Sequence, residues 1–109
     1  MVGTSKRLTF LEKMTASAPG ADDPMAWYGL AQEYRSLERF DDALAAFTSL
    51  STKHPSYVAQ YLMCGQMLEK MGKPAEARDW LERGIAAARA KKDSHALGEL
   101  ESALAALVG

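Results

Sequence analysis

Apolar residues recur along this chain at intervals of three and four. Trp27, Leu30, Ala31 and Tyr34 stand at i, i+3, i+4 and i+7, and the spacing predicts a helix over residues 24–37. Asp23 supplies its N-cap and Pro24 its first helical residue. A second stripe, Ala43, Phe47 and Leu50, follows Asp41 and Asp42, whose negative charges suit the first turn of a helix. That helix ends near His54, because Pro55 disfavours helical backbone in the residue before it. Tyr61, Cys64, Gly65 and Leu68 mark a third helix, with Ser56 as its cap and Gly72 as its stop. Pro74 opens a fourth, with Ala77, Leu81 and Ile85 on one face. Single helices flank these four. One spans residues 5–17, with Leu8, Phe10, Leu11 and Met14; the other spans 93–107, capped by Asp93, with Leu97, Leu100, Leu104 and Leu107 along one stripe. No segment alternates as a strand would.

The stripes are copies of one another. A shift of 34 residues carries Trp27 onto Tyr61, Leu30 onto Cys64, Ala31 onto Gly65, Tyr34 onto Leu68, Ala43 onto Ala77 and Phe47 onto Leu81. A period of this size marks a stack of helical units rather than a single globular core. The repeat also explains the small residues. Two helices that cross closely need a position without a bulky side chain, and Ala31 and Gly65 supply it from the first helix of each pair, Ala43 and Ala77 from the second. Glycine inside a helix costs about 1 kcal/mol relative to alanine, so steric clearance is the reason for Gly65. Trp27 and Tyr34 are then expected to straddle the contact and bury against the second helix of their pair.

These residues resemble the signature of the tetratricopeptide repeat family, W-x2-L-G-x2-Y followed by A-x3-F and a proline. The first repeat reads Trp27, Leu30, Ala31, Tyr34, Ala43, Phe47, Pro55; the second reads Tyr61, Cys64, Gly65, Leu68, Ala77, Leu81, with Arg89 in the proline's place. Loss of that proline predicts a fourth helix running on into "RAKK", Arg89 to Lys92. The last helix is similar to a third first-helix, with Leu97 and Gly98 echoing Cys64 and Gly65 one residue short of the period, and it reads as a polar-faced cap. The resemblance implies an all-α fold, a right-handed superhelix of about six helices. Its parts are repeats at 24–57 and 58–91, a flanking helix at 5–17 and a capping helix at 93–107, all in one domain over residues 1–109.

The same resemblance implies a function. First helices of successive repeats line a concave surface that holds an extended peptide or a helix of a partner protein. The positions pointing into it are Met25, Tyr28, Gln32, Arg35 and Ser36 from one helix and Ala59, Leu62, Gln66, Glu69 and Lys70 from the next, with His95 and Glu99 extending the rows. Arg35 and Glu69 have a plainer reading as an ion pair across the face. The family's carboxylate clamp, which holds acidic tails of chaperones, needs a lysine and two asparagines where this chain has Tyr28, Gln32 and Met63. The alternative to peptide binding is an assembly role, a homodimer or a docking contact made by the flanking helices.

Composition narrows the remaining classes. The formal net charge is −1 over 109 residues, so no global field draws the chain to nucleic acid or an anionic membrane, and its aromatics lie in packing stripes without a basic face. No segment approaches the roughly twenty apolar residues of a membrane span, and no signal-peptide core precedes the first charges, so a cytoplasmic protein is expected. The single cysteine, Cys64, suits a reducing compartment, and its repeat position, shared with Leu30, makes it a small core hydrophobe. His54 and His95 lack partners at metal-ligand spacing, and neither a phosphate-binding loop nor a nucleophile motif occurs. No catalytic residue, metal or cofactor is therefore expected.

Overall fold

The computed structural model describes residues 5–17 and 20–107, and among them every regular element is helical. In chain order these are α1 (Lys6–Ala16), a 3-10 turn (Gly20–Asp22), α2 (Pro24–Ser36), α3 (Phe40–Lys53), α4 (Ala59–Lys70), α5 (Pro74–Lys91) and α6 (Ser94–Ala106). The contacts group them into two compact units that divide between His54 and Pro55.

In the first unit α1 packs on α2, and α2 on α3. Ser5 caps α1 by accepting from the Leu8 amide at 3.0 Å, and Leu8, Leu11 and Thr15 form the buried side of the helix. Contact with α2 is close at Gly29, where a Cβ would come within 3.3 Å of Leu11 Cδ2. Polar bonds hold the same seam: the Ser5 hydroxyl donates to Glu33 at 2.9 Å, and the Tyr34 hydroxyl to Glu12 at 2.6 Å. Asp23 caps α2 through the Met25 amide, with Pro24 in the first turn, as its sequence predicts. A left-handed Glu38, φ 59°, turns the chain into α3. Asp41 and Asp42 lie in the first turn of α3, and its inner face is Ala43, Ala46, Phe47, Leu50 and Ser51.

The second unit has α5 packed against both α4 and α6, which also touch each other. Helix α4 begins at Ala59 without a side-chain cap, its N-cap being Val58. Ser56 therefore does not cap it, because it lies three residues before the first helical turn. Gly72, φ 75°, ends the turn after α4 in a conformation that glycine adopts without steric cost. Helix α5 runs 18 residues and ends on a left-handed Lys92. It thus continues through Arg89, where a proline would have ended it. Asp93 caps α6 by accepting from the Ala96 amide at 3.1 Å.

The crossing of α4 and α5 is the tightest feature that the sequence anticipates. A Cβ on Gly65 would lie 2.7 Å from Leu81 Cδ2 and 3.5 Å from the Ala77 carbonyl oxygen. The expected pairing of Gly65 with Ala77 is thus refined. Ala77 contributes its backbone, and the side chain that occupies the missing volume is Leu81.

Candidate functional site

Helix α4 and helix α6 line an open, shallow cleft of about 710 Å3. Leu62 and Gln66 form the α4 wall; Ser94, His95, Gly98, Glu99, Ser102 and Ala103 form the other. The cleft exists because of α5. Gly84 on that helix lies so close to its neighbours that a Cβ would come within 2.5 Å of Tyr61 Cβ and 2.8 Å of Leu100 Cδ2. This draws α4 and α6 onto one side of α5 and leaves Leu62 and His95 facing a shared space. Gly98 has open space around it, with nothing within 4 Å of a Cβ. Unlike Gly65, which it echoes, Gly98 leaves room in the cleft and admits no neighbouring helix.

Charge in the cleft is sparse. His95 Nε2 and Glu99 Oε1 stand 3.4 Å apart across one helical turn, an ion pair when the imidazole is protonated. Gln66 and the two serines add neutral donors and acceptors. Such a surface suits a backbone or an uncharged side chain better than a strongly charged group.

In the first unit the expected row lies on α2. The Tyr28 ring meets Phe47 edge to face, with centroids 6.5 Å apart. Gln32 Nε2 donates to the Tyr28 hydroxyl at 3.3 Å, and Arg35 Nε donates to Gln32 Oε1 at 3.0 Å. Tyr28, Gln32 and Arg35 thus form a continuous polar ladder along one face. Met25, with 71% of its surface exposed, stands at the start of the same helix face. Of the α4 row, Leu62 and Gln66 lie in the cleft, while Glu69 and Lys70 are exposed near the end of the helix.

Comparison with known proteins identifies the family. A family model described as tetratricopeptide repeat matches residues 34–104, more than half of the chain. The chain belongs to the tetratricopeptide repeat family. A solved structure of a tetratricopeptide repeat domain protein from Salinibacter ruber is 34% identical to it, covers 75% of this chain and 91% of its own, and superposes with a TM-score of 0.70. Tetratricopeptide repeats in general mediate protein–protein interactions, and the all-α helical repeat fold is shared.

Two features of these repeats differ from the expectation drawn from sequence. Trp27 and Tyr34 are half-buried rather than enclosed; with Leu30 they edge a pocket of about 180 Å3 whose other side is Asp42, Ala45, Ala46 and Ser49 of α3. Their counterparts Tyr61 and Leu68 are buried. Gly84 carried no signal in the repeat comparison, because its counterpart in the first repeat is Leu50. Its neighbours Tyr61 and Leu100 come from helices 23 and 16 residues away in sequence.

The chemistry of Cys64 is that of packing. Its side chain is fully buried, and burial pushes the thiol up to about 12. A thiol so protonated is a poor nucleophile. Among the described residues no group of three or more histidine, cysteine or acidic side chains is placed to hold a metal, and no helix is long and apolar enough to cross a membrane.

Proposed function

We propose that this chain is a non-catalytic interaction module that holds a peptide segment or a helix of another protein, with the exposed face of α4 as one binding surface and that of α2 as another. The α4–α6 cleft supports this reading most directly: Leu62 offers apolar surface beside the amide of Gln66. An extended peptide bound there buries side chains against Leu62 and satisfies backbone groups at Gln66, the mode of recognition that main-chain bonding and shallow pockets provide together. Tyr28 and Gln32 repeat that apolar and amide pair one period earlier. In this reading residues 24–57 and 58–91 are the two repeats of one domain, and α1 and α6 flank them. A cytoplasmic setting accords with the single buried thiol.

The test is a peptide selected from a random display library for binding to the whole chain, measured by fluorescence anisotropy. Tyr28→Ala together with Leu62→Ala should weaken it at least about tenfold, since each substitution removes buried apolar contact, with helix content intact. Binding should change little between low and high salt. Undiminished affinity in the double variant would move the interface off these faces.

An assembly role is the second reading, and Phe10 favours it. This phenylalanine on α1 is 61% exposed, with Lys6 and Lys13 one turn to either side. Light scattering over a wide concentration range distinguishes the readings, because a dimer persisting on dilution and abolished by Phe10→Ala would support assembly.

A further inference from the structure

The pocket on the first unit has an internal template. Its lining residues Trp27, Ala45, Ala46 and Ser49 correspond, one period later, to Tyr61, Asp79, Trp80 and Arg83. In the second unit these residues form one packed group, and the three on α5 are each larger than their counterparts on α3. The Trp80 and Tyr61 rings lie 5.9 Å apart. The Arg83 guanidinium stands 4.4 Å over the Trp80 ring and 3.8 Å from Asp79. In the first unit the same positions are pared back to Ala45, Ala46 and Ser49, and a pocket of about 180 Å3 remains against Trp27, Leu30 and Tyr34. Apolar cavities of about 150 Å3 admit a benzene ring.

Charge at the pocket sets its polarity. Asp42 lines the Tyr34 end and Asp41 precedes it, both exposed. Arg39 occupies one oxygen of Asp42, at 3.0 Å, and a carboxylate has room for further donors. At the opposite end Lys53 already lies over the Trp27 ring, 5.9 Å from its centroid. A cation arriving with a ring is therefore favoured at the Asp42 end, where the carboxylates of Asp41 and Asp42 outnumber the one guanidinium of Arg39, which also lies 4.8 Å over the Tyr34 ring.

We propose that this pocket is a second binding site, apart from the α4–α6 cleft, and that it takes the indole or other aromatic side chain of a partner-protein segment carrying a basic residue one helical turn away. The incoming ring takes in the first repeat the place that Trp80 holds in the second.

The probe is the blocked pentapeptide of residues 79–83, DWLER, titrated into the isotopically labelled whole chain and followed by NMR. The Trp27 indole N–H and the amides of Ala45, Ala46 and Ser49 should move together. The same peptide with alanine for tryptophan should move none of them, and one with glutamate for arginine should bind about threefold more weakly, the scale of one exposed ion pair. Ala46→Trp should abolish the shifts by filling the pocket from within; if that variant loses its dispersed spectrum, Ser49→Leu serves instead. Equal shifts with and without the tryptophan, or unchanged binding in the filled variant, would overturn the proposal. So would protection of the pocket by self-association that Phe10→Ala removes, since the occupant would then be a second copy of this chain.

Discussion

Gly65 and Leu81 cross so closely that one added carbon on Gly65 would lie 2.7 Å from Leu81 Cδ2 and 2.8 Å from its Cγ. Leu81 is itself buried and hemmed in, so it has little freedom to withdraw. Gly65→Leu should destabilise by about 1–3 kcal/mol through overpacking, although leucine is the better helix former. Gly65→Ala should lie between the two. Thermal or urea denaturation of the three proteins checks the order, and an unchanged or raised melting temperature for the leucine variant would mean that α4 and α5 do not cross here.

Gly84 and Gly98 should respond oppositely to the same change. At Gly84 the nearest atom is Tyr61 Cβ, which is anchored to the α4 backbone and moves only with it, so Gly84→Ala should destabilise by about 1–3 kcal/mol. At Gly98 a Cβ meets open space, so Gly98→Ala should stabilise by up to about 1 kcal/mol from helix propensity alone. Denaturant midpoints of the two single variants separate these effects. Equal shifts of the same sign would refute the packing assignment.

The buried thiol makes a pH prediction. Burial raises the folded pKa of Cys64 to about 12, above the roughly 8.5 of an exposed thiol. Above that lower value the unfolded chain loses its proton while the folded chain keeps it, so stability is full below about pH 8.5 and falls as pH rises toward 12. Cys64→Val should remove the part of this decline that begins near pH 8.5. Below that pH a polar thiol reagent should modify the native chain no faster than it unfolds, and rapid labelling would contradict the packing role.

Tyr34 holds α1 onto α2 through a short hydrogen bond to Glu12. The phenol is pushed up to about 12 by burial and then by that carboxylate, so it stays a donor through neutral pH. Tyr34→Phe should cost about 0.5–1.5 kcal/mol, the usual net worth of one hydrogen bond. The loss should appear first as faster amide exchange in α1. Uniform exchange rates across both units would show that this bond does not fasten the helix.

Removing the cap of α6 tests how the cleft is held. Asp93→Ala should cost about 1 kcal/mol and loosen the wall that carries His95 and Glu99. Selected-peptide affinity should fall while α4 and α5 keep their protection, and hydrogen exchange read beside anisotropy would expose any other outcome.

Local chemistry carries much of this molecule. The stripe through Trp27 and Tyr34, the Asp23 and Asp93 caps and the first-turn prolines are short-range signals, so they place helices to within a residue or two without knowledge of packing. The 34-residue echo likewise pairs α2 with α3 and α4 with α5, and names Gly65 as a crossing point. Ser56 shows where such signals fail. A hydroxyl before a helix caps only if the first turn forms beside it, and here Tyr57 and Val58 intervene before α4 begins. Other features depended on residues distant in the chain. Gly84 became a close contact only when Tyr61 and Leu100 met it from two helices, and the cleft at Leu62 and His95 opens as a consequence. The pocket at Ala46 is visible only as volume, because a small residue reads in sequence as packing whether or not a neighbour fills the space it leaves. Periodicity determined the helices and their pairing, since both follow from bonds and faces within a few turns. Tertiary structure alone decided which small residues are filled and which stand open, because that depends on where separate helices come to rest.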